Sequence, residues 1–281
     1  MVAATQPLTQ SAKVTARALI ALGVILAIAL TLRLVFFIGI LCTDDMATWQ
    51  LGKSLADGHL APAKVLQNDI STRRYGPAIP AAVCFKLFGV SETTVMIYPI
   101  LASLAGIVIV WDLTRRLAGS LWAAHFAALL LATSVLDIDY STVALPDGPM
   151  AAVSLAALWC IVLALSADRS AAGQRVLLLL SGLLLAFALA HKESAIQLVG
   201  AVGLWGLLLM FSRQFRPTLW LILVGFLVGV AAEHVLFWAA YGDPFDRWEV
   251  MVRGLESSRN KQLLMVDELP RGKSNLVSYR A

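Results

Sequence analysis

Long apolar runs without a single acid or base recur along this chain, and they dictate where it can fold. Residues 18–42 form one, broken only by Arg33. Residues 93–111, 117–136, 148–167, 176–190 and 194–212 form five more, and 217–240 a last one holding Glu233 and His234. A helix needs roughly 20 apolar residues to cross a hydrocarbon core about 30 Å thick. The expected fold is therefore an all-α integral membrane protein with about seven transmembrane helices, sited in the cell membrane as a multi-pass protein. No run alternates with a period of two, which excludes a β-barrel. Only 14% of the 281 residues are charged, against roughly 25% in a soluble domain, so the chain has too little charge to cover a water-facing surface. The excess of 22 Lys and Arg over 18 Asp and Glu, 22 − 18 = +4, is spread along the chain, and nucleic acid is not an expected partner.

Lys and Arg in short loops stay on the cytoplasmic side. Lys13 and Arg17 precede the first span, Arg115 and Arg116 follow the second, Arg169 and Arg175 lie between the fourth and fifth, and Arg213 and Arg216 between the sixth and seventh. The alternate loops are almost free of them. This predicts a cytoplasmic N-terminus and places 43–92 and 241–281 outside. Residues 1–240 then read as a membrane helical module, whose outer loop 43–92 is too long to be a plain connector. That loop is expected to hold two short surface helices. Asp44 would N-cap the first, which ends near Asp57 and Gly58, and the second, from Pro77 to Phe88, is apolar enough to lie on the membrane. Residues 241–281 read as an extracytoplasmic tail. Its helix opens at Asp243-Pro244 and carries Phe245, Trp248, Val252 and Leu255 on one apolar face.

Ionisable residues inside spans are expensive. Asp112 lies three and four residues before Arg115 and Arg116, a local helical pairing, and His125 reads as an interior histidine with a satisfied ring. Arg33 is expected to face a partner such as Glu233, or an anionic ligand. The remaining charges gather at the outer ends of the spans: Asp44-Asp45, Arg73-Arg74, Asp137, Asp139, Asp147 and His191-Lys192-Glu193. A carboxylate there can take a proton from a hydroxyl or amine, and Arg or Lys can bind a lipid phosphate. The three cysteines, Cys42, Cys84 and Cys160, show no metal-ligand spacing, and no metal or cofactor is expected.

The order of these residues resembles the type-C membrane glycosyltransferases of family 39, the protein O-mannosyltransferase and aminoarabinose-transferase group, in its bacterial form. Arg33 is followed by Asp44-Asp45, where that family has a pair of acids, although Thr48-Trp49 stands where it usually places a Tyr. Arg74-Tyr75-Gly76-Pro77 and Leu87-Phe88-Gly89 come next, then Arg115-Arg116, Leu145-Pro146-Asp147-Gly148, His191-Lys192-Glu193 and Gly242-Asp243-Pro244. The resemblance covers about residues 17–253. It implies an inverting transfer of a hexosyl or pentosyl group from a polyprenyl-phosphate-linked sugar donor to a lipid, glycan or protein acceptor at the outer face. Asp44 would be the catalytic base and Asp45 its support, while Arg74, Lys192, Asp147 and Arg33 would bind substrate, with no metal required. Members of that family are usually longer, so 241–281 would begin a further region. A transporter or flippase of lipid-linked sugars is the alternative reading. The absence of a visible repeat and the gathering of charge on one face weigh against it.

Overall fold

The computed structural model describes residues 16–41, 43–62, 70–166, 170–211 and 217–254. In chain order its helices are α1 (Ala16–Val35), α2 (Thr43–Ala56), α3 (Tyr75–Phe88), α4 (Glu92–Ala118), α5 (Leu121–Ala132), α6 (Val135–Thr142), α7 (Asp147–Leu165), α8 (Ala171–His191), α9 (Ile196–Met210) and α10 (Trp220–Tyr241). Residues 246–254 are helical as well. Among the described residues the β-type pairing is a single isolated bridge between Gly39 and Val143. Six helices are long and apolar enough to cross a membrane: α1, α4, α7, α8, α9 with the short turn before it, and α10. The pair α5 and α6, bent by 53°, brings the number to seven if it counts as one broken span. The protein is a multi-pass membrane protein.

That bend departs from the straight third span expected over 117–136. Gly119, at φ +64°, closes α4, and Ser120 starts α5 by accepting from the Ala123 amide. The apolar run then breaks at Thr133-Ser134, where the Ser134 hydroxyl accepts from Asp137 N and starts a new helix. Two Ser caps inside one apolar run divide it, because each offers the backbone a local partner in place of the helical one. Conversely, α4 runs through Asp112, Arg115 and Arg116 to 27 residues, about 40 Å at 1.5 Å per residue. These charges do not end it because they satisfy one another: Asp112 accepts from Arg115 at 2.6 Å, from Arg116 at 2.5 Å and from Trp159 Nε1 at 2.8 Å.

Two tight seams hold the bundle. Ala124, Ala128 and Ala132 present a stripe of small side chains on α5 to Ala18, Leu22, Ile25 and Ala29 on α1 and to Ile107 and Trp111 on α4. On the other side α8 meets α10 through glycine. A Cβ on Gly182 would strike the Ile222 carbonyl, and one on Gly225 the Leu179 carbonyl. Small residues spaced by four allow two membrane helices to bring their backbones together. His125 is satisfied as expected, with Nε2 3.1 Å from Ala18 O.

One other expectation is corrected and two are refined. Arg33, fully buried, does not meet Glu233. It donates to Ser103 Oγ at 2.9 Å and pairs with Asp137, because the break after α5 brings Asp137 beside the end of α1. Next, α3 has two distinct sides. Its Tyr75, Ala78, Ala81 and Phe85 side is buried, while Ile79, Val83 and Leu87 stay exposed as an outward apolar stripe. Finally, in the helix after Asp243 the face with Phe245 and Val252 is exposed and Arg247 and Val250 are buried. Asp243 does cap that helix, accepting from Phe245 N at 2.8 Å. Leu255, expected on the same face, lies outside the described residues. Cys42 lies outside them too, and Cys84 and Cys160 are free thiols.

Candidate active site

The segment joining α1 to α2 is pinned on both sides. Gly39, at φ +90°, donates its amide to Thr142 O at 2.9 Å, and a Cβ there would strike the Glu92 carboxylate. That carboxylate accepts from Ile40 N at 2.8 Å. The chain therefore enters α2 at a fixed point. The two acids of its first turn have different duties. Asp45 is buried, and its Oδ2 accepts from Leu41 N at 2.9 Å, so it fastens the helix start. Asp44, expected as the N-cap, sits inside the helix, with its carboxylate 36% exposed and turned to Arg74. A helix N-terminus favours an anion at this position.

The two arginines at the end of the turn Ile70–Arg73, Arg73 and Arg74, diverge. Arg73 donates through Nε to Asp246 at 2.6 Å and lies 4.3 Å over the Tyr241 ring, tying the outer segment to the helix after α10. Arg74 faces the other way. Its Nη1 donates to Asp44 Oδ2 at 2.8 Å and its Nη2 to Glu193 Oε2 at 3.1 Å. Burial works against the Arg74 charge, but the two carboxylates outweigh it and hold its pKa above the ordinary value.

Glu193 and Arg247 join this cluster, and sequence reasoning chose neither as a candidate site residue. Glu193 Oε1 accepts from Arg247 Nη2 at 2.9 Å, and the same nitrogen donates to Leu189 O at 2.7 Å. Arg247 also pairs with Glu233. The result is a chain of alternating charge: Asp44, Arg74, Glu193, Arg247, Glu233. The sequence did carry a signal for it. Glu193 lies in the turn between two spans, and Arg247 is a cation one turn into the helix that Asp243 caps. Lys192, the neighbour of Glu193, turns instead to Asp147 at 2.6 and 2.8 Å, with both side chains about a quarter exposed.

The structure thus brings Asp44 and Arg74 together, and Asp147 with Lys192 beside them through the Lys192–Glu193 peptide. It does not bring in Arg33, which is sealed in its own pair with Asp137. The approach of α3 to α8 depends on Gly76, where a Cβ would collide with the backbone and ring of His191. That ring is fixed by Tyr98 Oη at 2.7 Å and by Phe187 O at 2.8 Å. Beside it runs an apolar groove of about 210 Å³ between α3, α8 and α10, lined by Tyr75, Gly76, Ile79, Phe187 and Leu236 and ending at Glu233. A larger cavity of about 470 Å³ between α8, α9 and α10 has no ionisable lining residue. Among the described residues no group of three or more His, Cys, Asp or Glu is placed to hold a metal ion.

The family model for dolichyl-phosphate-mannose-protein mannosyltransferase matches residues 77–238. Two solved structures share the fold. ArnT from Cupriavidus metallidurans bound to undecaprenyl phosphate superposes with a TM-score of 0.66 at 19% identity over 84% of this chain, and its apo state with 0.59 at 20% over 86%. The chain spans less than half the length of those structures, 45% and 43%. None of the curated proteins matches it in sequence.

Proposed function

Because the chain belongs to the dolichyl-phosphate-mannose-protein mannosyltransferase family, we propose that it is a glycosyltransferase taking a sugar from a polyprenyl-phosphate donor. The observation that carries this reading is the contact of Asp44 with Arg74 at 2.8 Å, a proton acceptor and a phosphate ligand side by side, with the next residue, Tyr75, lining an apolar groove. The similar ArnT structure with undecaprenyl phosphate supports the same class of carrier here. The carrier's phosphate sits on Arg74, and its isoprenoid chain descends the groove past Tyr75, Gly76 and Ile79.

In the reaction the acceptor's hydroxyl or amine attacks the anomeric carbon from the side away from the phosphate. Asp44 takes the acceptor's proton, the bond from the anomeric carbon to the phosphate oxygen breaks, and the bonding electrons leave with the phosphate. The products are the glycosylated acceptor, inverted at that carbon, and the free polyprenyl phosphate. Arg74 stabilises the charge gathering on the leaving oxygen. Lys192 and Asp147, paired at the same end of the bundle, hold the sugar and the acceptor. Asp45 is the support, fixing the helix start from which Asp44 projects. The active face is extracytoplasmic, so residues 1–240 form the catalytic membrane module and the helix after Asp243 completes the site through Arg247.

The test is sugar transfer by purified protein in lipid, with radiolabelled polyprenyl-phosphate sugars as donors and a membrane extract as the source of acceptors. Asp44→Asn should lower turnover by about 10²–10⁴-fold, as expected on loss of a general base, with the melting temperature retained. Equal turnover by wild type and Asp44→Asn would remove Asp44 from the chemistry.

A further inference from the structure

Arg74 has two carboxylate partners, and the structure holds them differently. Glu193 offers Oε2 to Arg74, while its Oε1 is clamped by Arg247 through Nη2 at 2.9 Å and Nε at 3.3 Å. Arg247 is itself 1% exposed and anchored to Leu189 O and Glu233. Releasing Glu193 would take from a buried cation one of its two carboxylates, which is unfavourable. Asp44 is the opposite case. Its carboxylate is 36% exposed and its hold on Arg74 is one hydrogen bond at 2.8 Å. Arg74 also keeps a donor in reserve, since its buried Nε has no partner among the described residues.

We propose that Glu193, clamped by Arg247, is the positioning residue that aims Arg74, and that the donor's phosphate displaces Asp44 from Arg74 while Glu193 stays. The proposal rests on the reading of Arg74 as the phosphate ligand. A phosphate oxygen can take Nη1 in place of Asp44, a charge-assisted contact of the kind that Arg favours for phosphate. The displaced carboxylate of Asp44 is then free to meet the acceptor. The base is thus released only when the donor is in place, and donor binds before acceptor.

The two carboxylates separate this account from simple charge. Both are negative and both touch Arg74, so charge alone predicts that removing either one tightens phosphate binding. Positioning predicts opposite signs. The full chain in phosphatidylcholine nanodiscs is titrated with undecaprenyl phosphate, and affinity is read beside the melting temperature. Asp44→Asn should bind on the order of tenfold more tightly and Glu193→Gln on the order of tenfold more weakly, the size expected of one charge-assisted contact. Arg247→Lys should follow Glu193→Gln, because a lysine cannot grip Glu193 and Glu233 together. Glu193→Asp keeps the charge but shortens the reach, so it too should weaken binding, where charge alone predicts no change. Tighter binding by both Asp44→Asn and Glu193→Gln overturns positioning. Weaker binding by Asp44→Asn overturns displacement. If Arg74→Ala binds as well as wild type, Arg74 is not the phosphate ligand, and the underlying reading falls with the proposal.

Discussion

Arg74 shows how much of a site one residue can declare in sequence and how much it withholds. Asp44, Arg74, Asp147 and Lys192 are visible as candidates because charge at the end of an apolar run is costly enough to need a reason. Their pairing into Asp44–Arg74 and Asp147–Lys192 follows from contacts 30 and 45 positions apart, which no local pattern encodes. Arg247 was hidden for a related reason. Its helix reads as carrying one apolar face, yet the buried side is the one bearing the cation, because Glu193 and Glu233 wait there. Arg33 shows the converse, a conspicuous charge whose partner is structural. Arg33→Ala would leave Asp137 and Ser103 without their cation. It should cost roughly 3–5 kcal/mol of stability, read as a shift of the unfolding midpoint in detergent. Arg33→Leu with Asp137→Leu should recover most of that loss. No recovery in the double variant would mean that Arg33 serves more than this pair. Gly76 is as telling. Gly76→Ala forces α3 away from His191 at about 1–3 kcal/mol and carries Arg74 off Glu193. Undecaprenyl phosphate affinity should therefore fall along with stability. A variant that loses stability but binds normally would disconnect Gly76 from the site.

At the scale of elements, the spans were legible because crossing a membrane requires a long apolar run and little else does. Their internal breaks were not. Thr133-Ser134 sits inside an unbroken uncharged stretch, and only the Ser134 cap reveals that α5 stops and α6 turns by 53°. Helix contacts were equally silent, since a glycine scattered in a span looks the same whether or not another backbone lies against it. Gly200 and Gly203 on α9 face open space, whereas Gly182 and Gly225 lie at the crossing of α8 and α10. Gly225→Val should therefore part α8 from α10 and lower the melting temperature in detergent, and Gly203→Val should leave it nearly unchanged. Since α10 carries Glu233, and through it Arg247, the Gly225 variant should also lose lipid-phosphate affinity. Equal tolerance at both glycines would show that the close crossing does not bear on stability.

Across the whole molecule, charge is divided between the two ends of the bundle. One end carries Arg115 and Arg116, held to Asp112 and Trp159. The other carries the alternating chain from Asp44 to Glu233 and the Asp147–Lys192 pair. The basic end follows the rule that Lys and Arg in short loops remain cytoplasmic. The mixed end gathers acids with their bases because cations left unpaired beside the hydrocarbon would be costly. If this division sets the orientation, the catalytic face is extracytoplasmic, where a lipid-linked sugar rather than a sugar nucleotide is the available donor. Single cysteines introduced into a cysteine-free chain test it directly. Asp139→Cys, at an exposed position on α6, should react with a membrane-impermeant maleimide in intact cells. Arg116→Cys, at the basic end of α4, should react only after the membrane is opened. The reverse pattern would turn the site to the cytoplasm and expose it to nucleotide-linked donors. The reason for a polyprenyl-phosphate donor would then have to come from the Arg74 site alone.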